Sequence, residues 1–414
     1  MNQEIYTHQL ANGLVLAAEA MPWLESAAFA FLLPAGCARD PAKRLGLANL
    51  TCEMVQRGCG ARGSRQFVED LEMLGADTSA GILPSHTTFA GAMPSDSLHE
   101  VLGIYADVVR RPQLPPNQLE DAQQVCIQEI RAAEDDLAQT AMTELRQRHY
   151  GDPWGRATHG VVEEVSSTQL GDIEQDIAHH YRPNDTILSV AGKFDWHALK
   201  DHVESICGDW PAAVISAPET DQAAGGYHHL PSDSSQTHIG VAYSSVPYSD
   251  PGYMQARGAV GVLSDGMSSR LFTEIRENRG LVYAVSAACH SLHDRGSVLC
   301  YAGTTTERAQ ETLDVLTAEL LRLADGIQED ELKRLKARIK SALIMQQESS
   351  TSRSRSIAFD WYHLGRIRSL DEVGGLVDGL TCESINAYLA EHPPQDMAAV
   401  TLGEKPLETP LGIS

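Results

Sequence analysis

The sequence lacks the features that would place it in a membrane or in an oxidising compartment. It has no uninterrupted apolar run approaching the roughly 20 residues that a transmembrane helix needs. Its amino terminus has no basic segment and carries Glu4 and Glu19, so it predicts neither a secretory signal nor an Arg-rich transit peptide. Its eight cysteines form no C-x-x-C pair and show no ligand-like spacing. We therefore expect reduced, mostly buried thiols in a cytoplasmic protein.

Positive charge is also scarce in this chain. The 32 Lys and Arg residues stand against 56 Asp and Glu residues, which gives a formal net charge of −24. Nucleic-acid binding through phosphate contacts needs a basic surface, so this composition argues against it. The acidic surface is expected mainly to aid solubility. At 414 residues the chain is too long for one core, which predicts two or three domains.

Two segments of the chain repeat one order of elements. Residues 86–130 and 296–343 both predict a strand, a turn, a long amphipathic helix, a break and a second helix. Within them, Ala90-Gly91 matches Ala302-Gly303, and Leu119 matches Leu332. We therefore predict an α+β protein of two homologous domains, each a largely antiparallel sheet flanked by helices. A stretch rich in Pro, Ala, Gly and Ser lies between them and is interpreted as a linker, which predicts domains at 1–212 and 234–414 and a linker at 213–233.

Several segments together resemble one known family. They are THQLANGLVLAAE, GLANLTCEMVQRG, VCIQEI, HHYRPNDTILSVAGKFD and SSRLFTEIRENRGLVYAVSA, and they cover nearly the whole chain in the family's order. The chain resembles the pitrilysin-type metallopeptidases, the inverted-zinc-motif peptidases that include mitochondrial processing peptidase. The resemblance is to their short bacterial members in particular, which carry two homologous domains per chain. It implies a clam-shell arrangement of the two α+β domains.

The family's zinc motif is degenerate in this chain. The motif H-x-x-E-H supplies two histidine ligands and a glutamate base that activates zinc-bound water. The resemblance places the first histidine on Asn49, the glutamate on Cys52 and the second histidine on Glu53. A third ligand of the family falls on Glu129, which is retained. Because a catalytic zinc needs three protein ligands and an open water position, we expect no metal in this chain. Cys52 is interpreted as buried apolar filler, with a nucleophilic role as the alternative.

The second half retains the family's other catalytic groups. In EIRENRGLVY, the resemblance assigns to Arg276 and Tyr283 the pair that stabilises the negative charge of a tetrahedral intermediate. Without the resemblance, an Arg at a helix end and a Tyr opening a strand would favour packing and surface roles. Active members bind their peptide as an added strand, and the resemblance assigns this contact to Thr78, Ser79 and Ala80.

A degenerate zinc face beside a complete Arg/Tyr pair resembles the zinc-less subunit of heterodimeric family members. It implies a homologous partner with an intact H-x-x-E-H motif, zinc in that partner, and an unfolded or short peptide as substrate. No cofactor, nucleic acid or membrane is implied for this chain. The hypothesis is a non-catalytic subunit, inactive alone, of a zinc endopeptidase that acts in peptide hydrolysis or peptide maturation. The alternative is a zinc-free scaffold or peptide-binding protein without a catalytic contribution.

Overall fold

The computed structural model of the chain describes residues 3–221, 223–410 and 412–413. Its strands are β1 Glu4–Gln9, β2 Val15–Ala20, β3 Ser26–Leu33, β4 Gly58–Cys59, β5 Arg62–Gly63, β6 Asp77–Ile82, β7 Thr87–Pro94, β8 Ile187–Gly192, β9 Tyr227–Pro231, β10 Gln236–Ser245, β11 Val282–Ser291, β12 Gly296–Thr305 and β13 Ala398–Gly403. Its helices are α1 Leu47–Val55, α2 Ser64–Met73, α3 Leu98–Arg110, α4 Leu119–Asp135, α5 Leu137–Tyr150, α6 Val162–Ser167, α7 Leu170–His180, α8 Trp196–Cys207, α9 Tyr253–Ser264, α10 Ala309–Leu321, α11 Glu329–Gln346, α12 Ser350–Leu364, α13 Leu370–Gly379 and α14 Cys382–Glu391, with a π-helical segment at Phe272–Asn278.

The two large sheets repeat one topology. The first has the strand order β1-β2-β8-β3-β7-β6, and the second has the order β11-β12-β10-β13-β9. Each is antiparallel except for one pair, which is β2 with β8 in the first sheet and β9 with β13 in the second. Read from β6 and from β11, the first five strands of the two orders correspond one to one, and β1 is an additional strand of the first sheet. The structure thus confirms the predicted α+β class with two sheet-rich domains of common design.

The chain forms two compact units, and neither is contiguous in sequence. The first consists of Met1–Ala132, Arg156–Glu219 and Ile344–Ser369, and the second of the remaining segments. The limits of these units differ from the boundaries expected at residues 212 and 234 because two helices are exchanged: α12 belongs to the first unit, and α5 belongs to the second. Helix α12 packs on β2, β3 and β8 of the first unit, and α5 packs on β10 and β13 of the second. Strand β9 also lies within 213–233, where the sequence predicts a linker, because its pairing partner β13 is distant in sequence.

The exchanged helix α12 is tied to the first sheet by a buried ion pair. Arg353 donates through Nε to Glu19 Oε2 at 2.9 Å, and its Nη2 contacts the same oxygen. Both side chains are only 2% exposed. Gln3 Nε2 donates to the other Glu19 oxygen at 2.8 Å. These contacts fix the register of α12 on β2, since a shift of the helix would leave the Glu19 charge buried without its partner.

The exchanged helix α5 makes polar contacts with the second sheet. Tyr150 Oη lies 2.6 Å from His290 Nδ1 on β11, and His149 Nε2 lies 2.6 Å from Ser297 Oγ on β12. Burial is the main cause that lowers the pKa of His290 to about 4. The imidazole of His290 is therefore neutral in the folded protein at physiological pH.

Over the described ranges, no helix combines the length and apolar character that would let it traverse a bilayer.

Candidate functional site

The first turn of α1, the helix with the degenerate motif, is fixed by close backbone packing. Its N-cap Gly46 has a φ of +96°, in the left-handed region that glycine adopts without strain. A Cβ at Gly46 would lie 2.8 Å from the carbonyl oxygen of His159. The Asp40 carboxyl group accepts hydrogen bonds from the backbone N–H groups of Gly46 (2.7 Å) and Ala48 (2.9 Å). The Asp40 carboxyl group thus satisfies two of the unpaired backbone donors at the start of α1 and holds the helix in one orientation.

The apolar face of α1 packs against α4. The spacing of Leu47, Leu50 and Met54 places them on one face of α1. The buried side chains on the two sides of the contact are Leu47, Leu50 and Met54 of α1 with Ala122, Cys126, Ile127 and Ile130 of α4. The packing brings Asn49 of α1 opposite Glu129 of α4, although the two residues are 80 positions apart in sequence.

Asn49 and Glu129 bond directly to each other. Asn49 Nδ2 donates to Glu129 Oε2 at 2.9 Å. The same oxygen lies 3.8 Å from Nδ1 of His159, a nitrogen with no hydrogen-bond partner among the described residues. An amide N–H group donates and does not coordinate a metal, so the Asn49 amide occupies the carboxylate oxygen that a metal would use.

The other two positions of the motif are engaged elsewhere. Glu53 Oε1 accepts from Nε (3.1 Å) and Nη2 (2.7 Å) of Arg57, one helical turn further on. Cys52 is only 4% exposed and belongs to the core of the first unit. Burial, followed by the charge of Glu53, raises the pKa of its thiol above the ordinary range. Cys52 therefore stays protonated, which fits the predicted filler role and not a nucleophile.

These residues do not fit a catalytic zinc ion. Across residues 3–221, 223–410 and 412–413, no three His, Cys, Asp or Glu side chains are grouped so that they could hold a metal. Glu129 and His159 are near each other, but the family's positions add only a hydrogen-bonded amide, a buried thiol and an ion-paired carboxylate. The sequence gives no sign that His159 lies near Glu129, because this proximity depends on the contact of residues 159–160 with Gly46.

Arg276 lies near the end of the π-helical segment of the second unit. Its side chain is exposed, and its guanidinium carbon lies 4.9 Å from the centre of the Phe272 ring. Arg279, three residues later, is bound to Glu274, with Nη2 to Oε1 at 3.0 Å. The guanidinium group of Arg276 thus makes a cation–π contact, and its five N–H groups are the donors it could offer to a ligand.

Tyr283 lies at an irregularity near the start of β11. The register of β11 on β12 shifts between Val282 and Ala284, so Tyr283 is the additional residue of a β-bulge. Its side chain is 49% exposed. Its hydroxyl donates to Gln236 Oε1 at 3.1 Å and lies 3.4 Å from the hydroxyl of Tyr301.

Gly303 on β12 makes room for the Tyr283 ring. A Cβ at Gly303 would lie 2.5 Å from both Cζ and Oη of Tyr283. The match between the two halves includes Gly303, but it does not explain why a glycine is needed there. The sequence does not indicate that Gln236 or Tyr301 lies near Tyr283. These residues meet Tyr283 through strand pairing, which local sequence does not encode.

Thr78, Ser79 and Ala80 lie on β6, at one end of the first sheet. They pair with Gly91, Ala90 and Phe89 of β7, and Ser79 and Ala80 are exposed. Strand β6 also lies against α1. Strand β6 is thus an edge strand next to the degenerate motif, and peptide contact at these three residues stays a prediction.

Two family descriptions match this chain. Insulinase, peptidase family M16, matches residues 15–159, and the peptidase M16 inactive domain matches residues 168–339. The chain belongs to peptidase family M16. The first M16 match contains α1 and α4 with the degenerate motif, and the second contains Arg276 and Tyr283. The family resemblance seen in the sequence is thereby confirmed.

Relatives from bacteria match along nearly the whole M16 chain. An uncharacterized zinc protease of Rickettsia felis is 24% identical over 387 residues, which covers 93% of this chain and 94% of the relative. The uncharacterized zinc protease YmxG of Bacillus subtilis is 24% identical over 401 residues, with 95% and 96% covered. The similarity therefore includes both halves of this M16 protein.

Solved structures share the M16 fold. A peptidase M16 inactive domain from Pseudomonas fluorescens matches with a TM-score of 0.88 and 21% identity, over 98% of this chain and all of that one. A protease from Helicobacter pylori matches with a TM-score of 0.90 and 17% identity, over 97% and 100%. A chain of complex III2 from Candida albicans matches with a TM-score of 0.83 and 18% identity, over 97% and 96%. At these identities the likeness concerns the fold alone.

Proposed function

We propose that this chain is the non-catalytic subunit of a heterodimeric zinc endopeptidase. It completes a peptide chamber and donates Arg276 and Tyr283 to the zinc site of a homologous subunit that carries H-x-x-E-H. This chain needs no cofactor of its own, and zinc belongs to the partner. The reaction is hydrolysis of a peptide bond, for peptide maturation or degradation.

One contrast within the chain supports this proposal most. On α1 and α4, the zinc-binding positions are replaced by an Asn49–Glu129 hydrogen bond and an ion-paired Glu53. In the second unit, Arg276 and Tyr283 remain, both exposed, and Gly303 leaves space for the tyrosine ring. The retention of this pair beside a replaced zinc site supports a contribution to the active site of a partner.

The two retained groups have the chemistry of oxyanion stabilisation. Attack on a peptide carbonyl places negative charge on its oxygen, and preorganised donors stabilise that charge. The Tyr283 hydroxyl already donates to a neutral oxygen, that of Gln236, and the developing oxyanion would replace this acceptor. Loss of one such donor typically lowers kcat by about 10²–10³.

The proposed substrate is an unfolded or short peptide. An extended peptide adds to an edge strand through backbone hydrogen bonds, which makes little demand on its sequence. Strand β6, with Thr78, Ser79 and Ala80, is the proposed edge. No disulfide joins any of the eight cysteines, all of which lie in the described ranges, and this supports a reducing compartment such as the cytoplasm.

The test is reconstitution with candidate H-x-x-E-H chains. We expect metal-dependent cleavage of an unfolded peptide by the mixture, and a loss of about 10²–10³ in kcat when Arg276→Ala replaces the natural chain. Arg279→Ala is the matched control, since Arg279 is also exposed and pairs with Glu274. Equal rates for the mixture and the zinc chain alone, or an unchanged rate for Arg276→Ala, would contradict the proposal.

The second candidate is a zinc-free scaffold or peptide-binding protein without a catalytic contribution. The exposed edge of β6 favours it, since peptide addition needs no metal. Peptide binding that persists while Arg276 and Tyr283 substitutions leave every partner's turnover unchanged would favour this candidate.

A further inference from the structure

Three polar aromatic side chains form a hydrogen-bonded row across the second sheet. Tyr283 Oη on β11 lies 3.4 Å from Tyr301 Oη on β12, and Tyr301 Oη lies 2.8 Å from His238 Nδ1 on β10. The outermost member, Tyr283, is 49% exposed, and the innermost, His238, is 6% exposed. The row therefore leads from a buried imidazole to an exposed phenol.

Strand register brings the three side chains together on one face. Gly303 is paired with His238 across β10 and β12, and with Ala284 across β11 and β12. Tyr301 is two residues before Gly303 on the same strand, so its side chain is on the same face. The missing side chain of Gly303 gives the Tyr283 ring its place beside Tyr301, as the 2.5 Å approach of a Cβ indicates.

From this row we infer that Tyr301 and His238 are positioning residues for Tyr283. In this arrangement, His238 Nδ1–H donates to the Tyr301 oxygen, and the Tyr301 hydroxyl donates to the Tyr283 oxygen. This inference rests on the proposed function of Tyr283 as an oxyanion donor. A phenol oxygen that accepts a hydrogen bond is a stronger donor through its own O–H, because hydrogen bonds in a chain polarise one another. Tyr283 would thus be held in place and strengthened as a donor.

The surroundings of the buried members suit this role. Burial is the main cause that lowers the pKa of His238 and raises that of Tyr301, so both are neutral at physiological pH. A neutral imidazole has one donor and one acceptor nitrogen, and a phenol donates once and accepts. Asp136, at the N-cap of α5, is the charged group that favours the protonated form of His238. The row therefore carries hydrogen bonds without carrying a net charge.

The first test uses this chain alone, with ¹³Cζ-labelled tyrosine followed by NMR at neutral pH. Tyr301→Phe should shift the Tyr283 resonance, and so should His238→Ala, whereas His238→Asn should preserve it by keeping a donor near the Nδ1 position. In the Tyr301→Phe background, His238→Ala should have no further effect, because the connection runs through the Tyr301 hydroxyl. Tyr227→Phe is the control, since its hydroxyl contacts Thr401 at the far edge of the same sheet. A Tyr283 resonance unmoved by Tyr301→Phe would overturn the inference.

The second test uses the reconstituted heterodimer. Tyr301→Phe should lower kcat roughly two- to tenfold with KM unchanged, as expected when one hydrogen bond behind a catalytic donor is lost. If Tyr283→Phe itself leaves kcat unchanged, the proposed function fails, and the NMR result still decides whether the row exists. If Tyr283→Phe lowers kcat and Tyr301→Phe does not, the proposed function stands and this inference is overturned.

Discussion

Restoring the missing histidines would test whether side chains alone prevent zinc binding on α1. The double variant Asn49→His, Glu53→His would face the retained Glu129 and form the His, His, Glu set of many catalytic zinc sites. In the natural chain, Asn49 donates to Glu129 and Arg57 holds Glu53. We therefore expect zinc to stabilise the double variant and to leave the natural chain unchanged.

The size of this effect follows from mass action. A ligand that binds only the folded state at one hundred times its Kd stabilises that state by about 2.7 kcal/mol. In a domain of about 150–250 residues, each kcal/mol raises Tm by about 2–4 °C, so zinc should raise Tm by roughly 5–11 °C. Without zinc, the variant loses the 2.9 Å Asn49–Glu129 bond and the Glu53 ion pair, each worth about 1 kcal/mol or less. It should therefore melt a few degrees below the natural chain.

The assay is thermal unfolding in chelator and in zinc, with metal content measured on the same samples. A triple variant that adds Glu129→Gln is the control, because it keeps both new histidines and removes the third ligand. A comparable zinc-induced rise in the natural chain would refute the reasoning, since it would mean that the present side chains bind the metal. A folded double variant that zinc does not stabilise would show that the geometry of α1 and α4, and not residue type alone, excludes the ion.

Three further predictions concern stability and the retained pair. Arg353→Met should lower the free energy of unfolding by about 3–5 kcal/mol in urea, because it leaves the Glu19 carboxylate buried without its charged partner. Arg355→Met, at an exposed position of the same helix, should not lower it. Gly303→Ala should lower kcat of the heterodimer about as much as Tyr283→Phe by displacing the tyrosine ring, with little change in Tm, and a normal kcat would contradict the packing described for Gly303. His290 binds its proton more readily in the unfolded state, since its folded-state pKa is about 4 against 6.5, so stability should fall as pH falls from about 6.5 to 4. His290→Gln should remove up to about 3 kcal/mol of this pH dependence, and an identical pH profile for both proteins would count against a neutral buried imidazole.

Part of the motif helix could be predicted from the sequence because its signals are local. The apolar face of α1 follows from helical spacing, and the Glu53–Arg57 pair is an i,i+4 contact that the same spacing makes visible. The hydrogen bond of Asn49 to Glu129 follows only when the family's order of segments places α4 beside α1.

The remaining contacts join residues that are distant in sequence. Glu19 and Arg353 are 334 positions apart, and nothing local indicates that α12 would cover the first sheet. The row from His238 to Tyr283 depends on the register of three strands, and a shift of one residue would turn its side chains to the opposite face. The sequence therefore predicts the fold class and the retained pair, whereas the helix exchange and the support of Tyr283 require the tertiary structure.

The most direct test of the account is the zinc content and peptide cleavage of this chain, alone and mixed with candidate H-x-x-E-H chains, together with the mass of the complex. The account predicts one zinc per heterodimer, cleavage in the mixture, and neither stoichiometric zinc nor cleavage in this chain alone. Stoichiometric zinc or cleavage in this chain alone would contradict it and would return Asn49, Cys52, Glu53 and Glu129 to the active site.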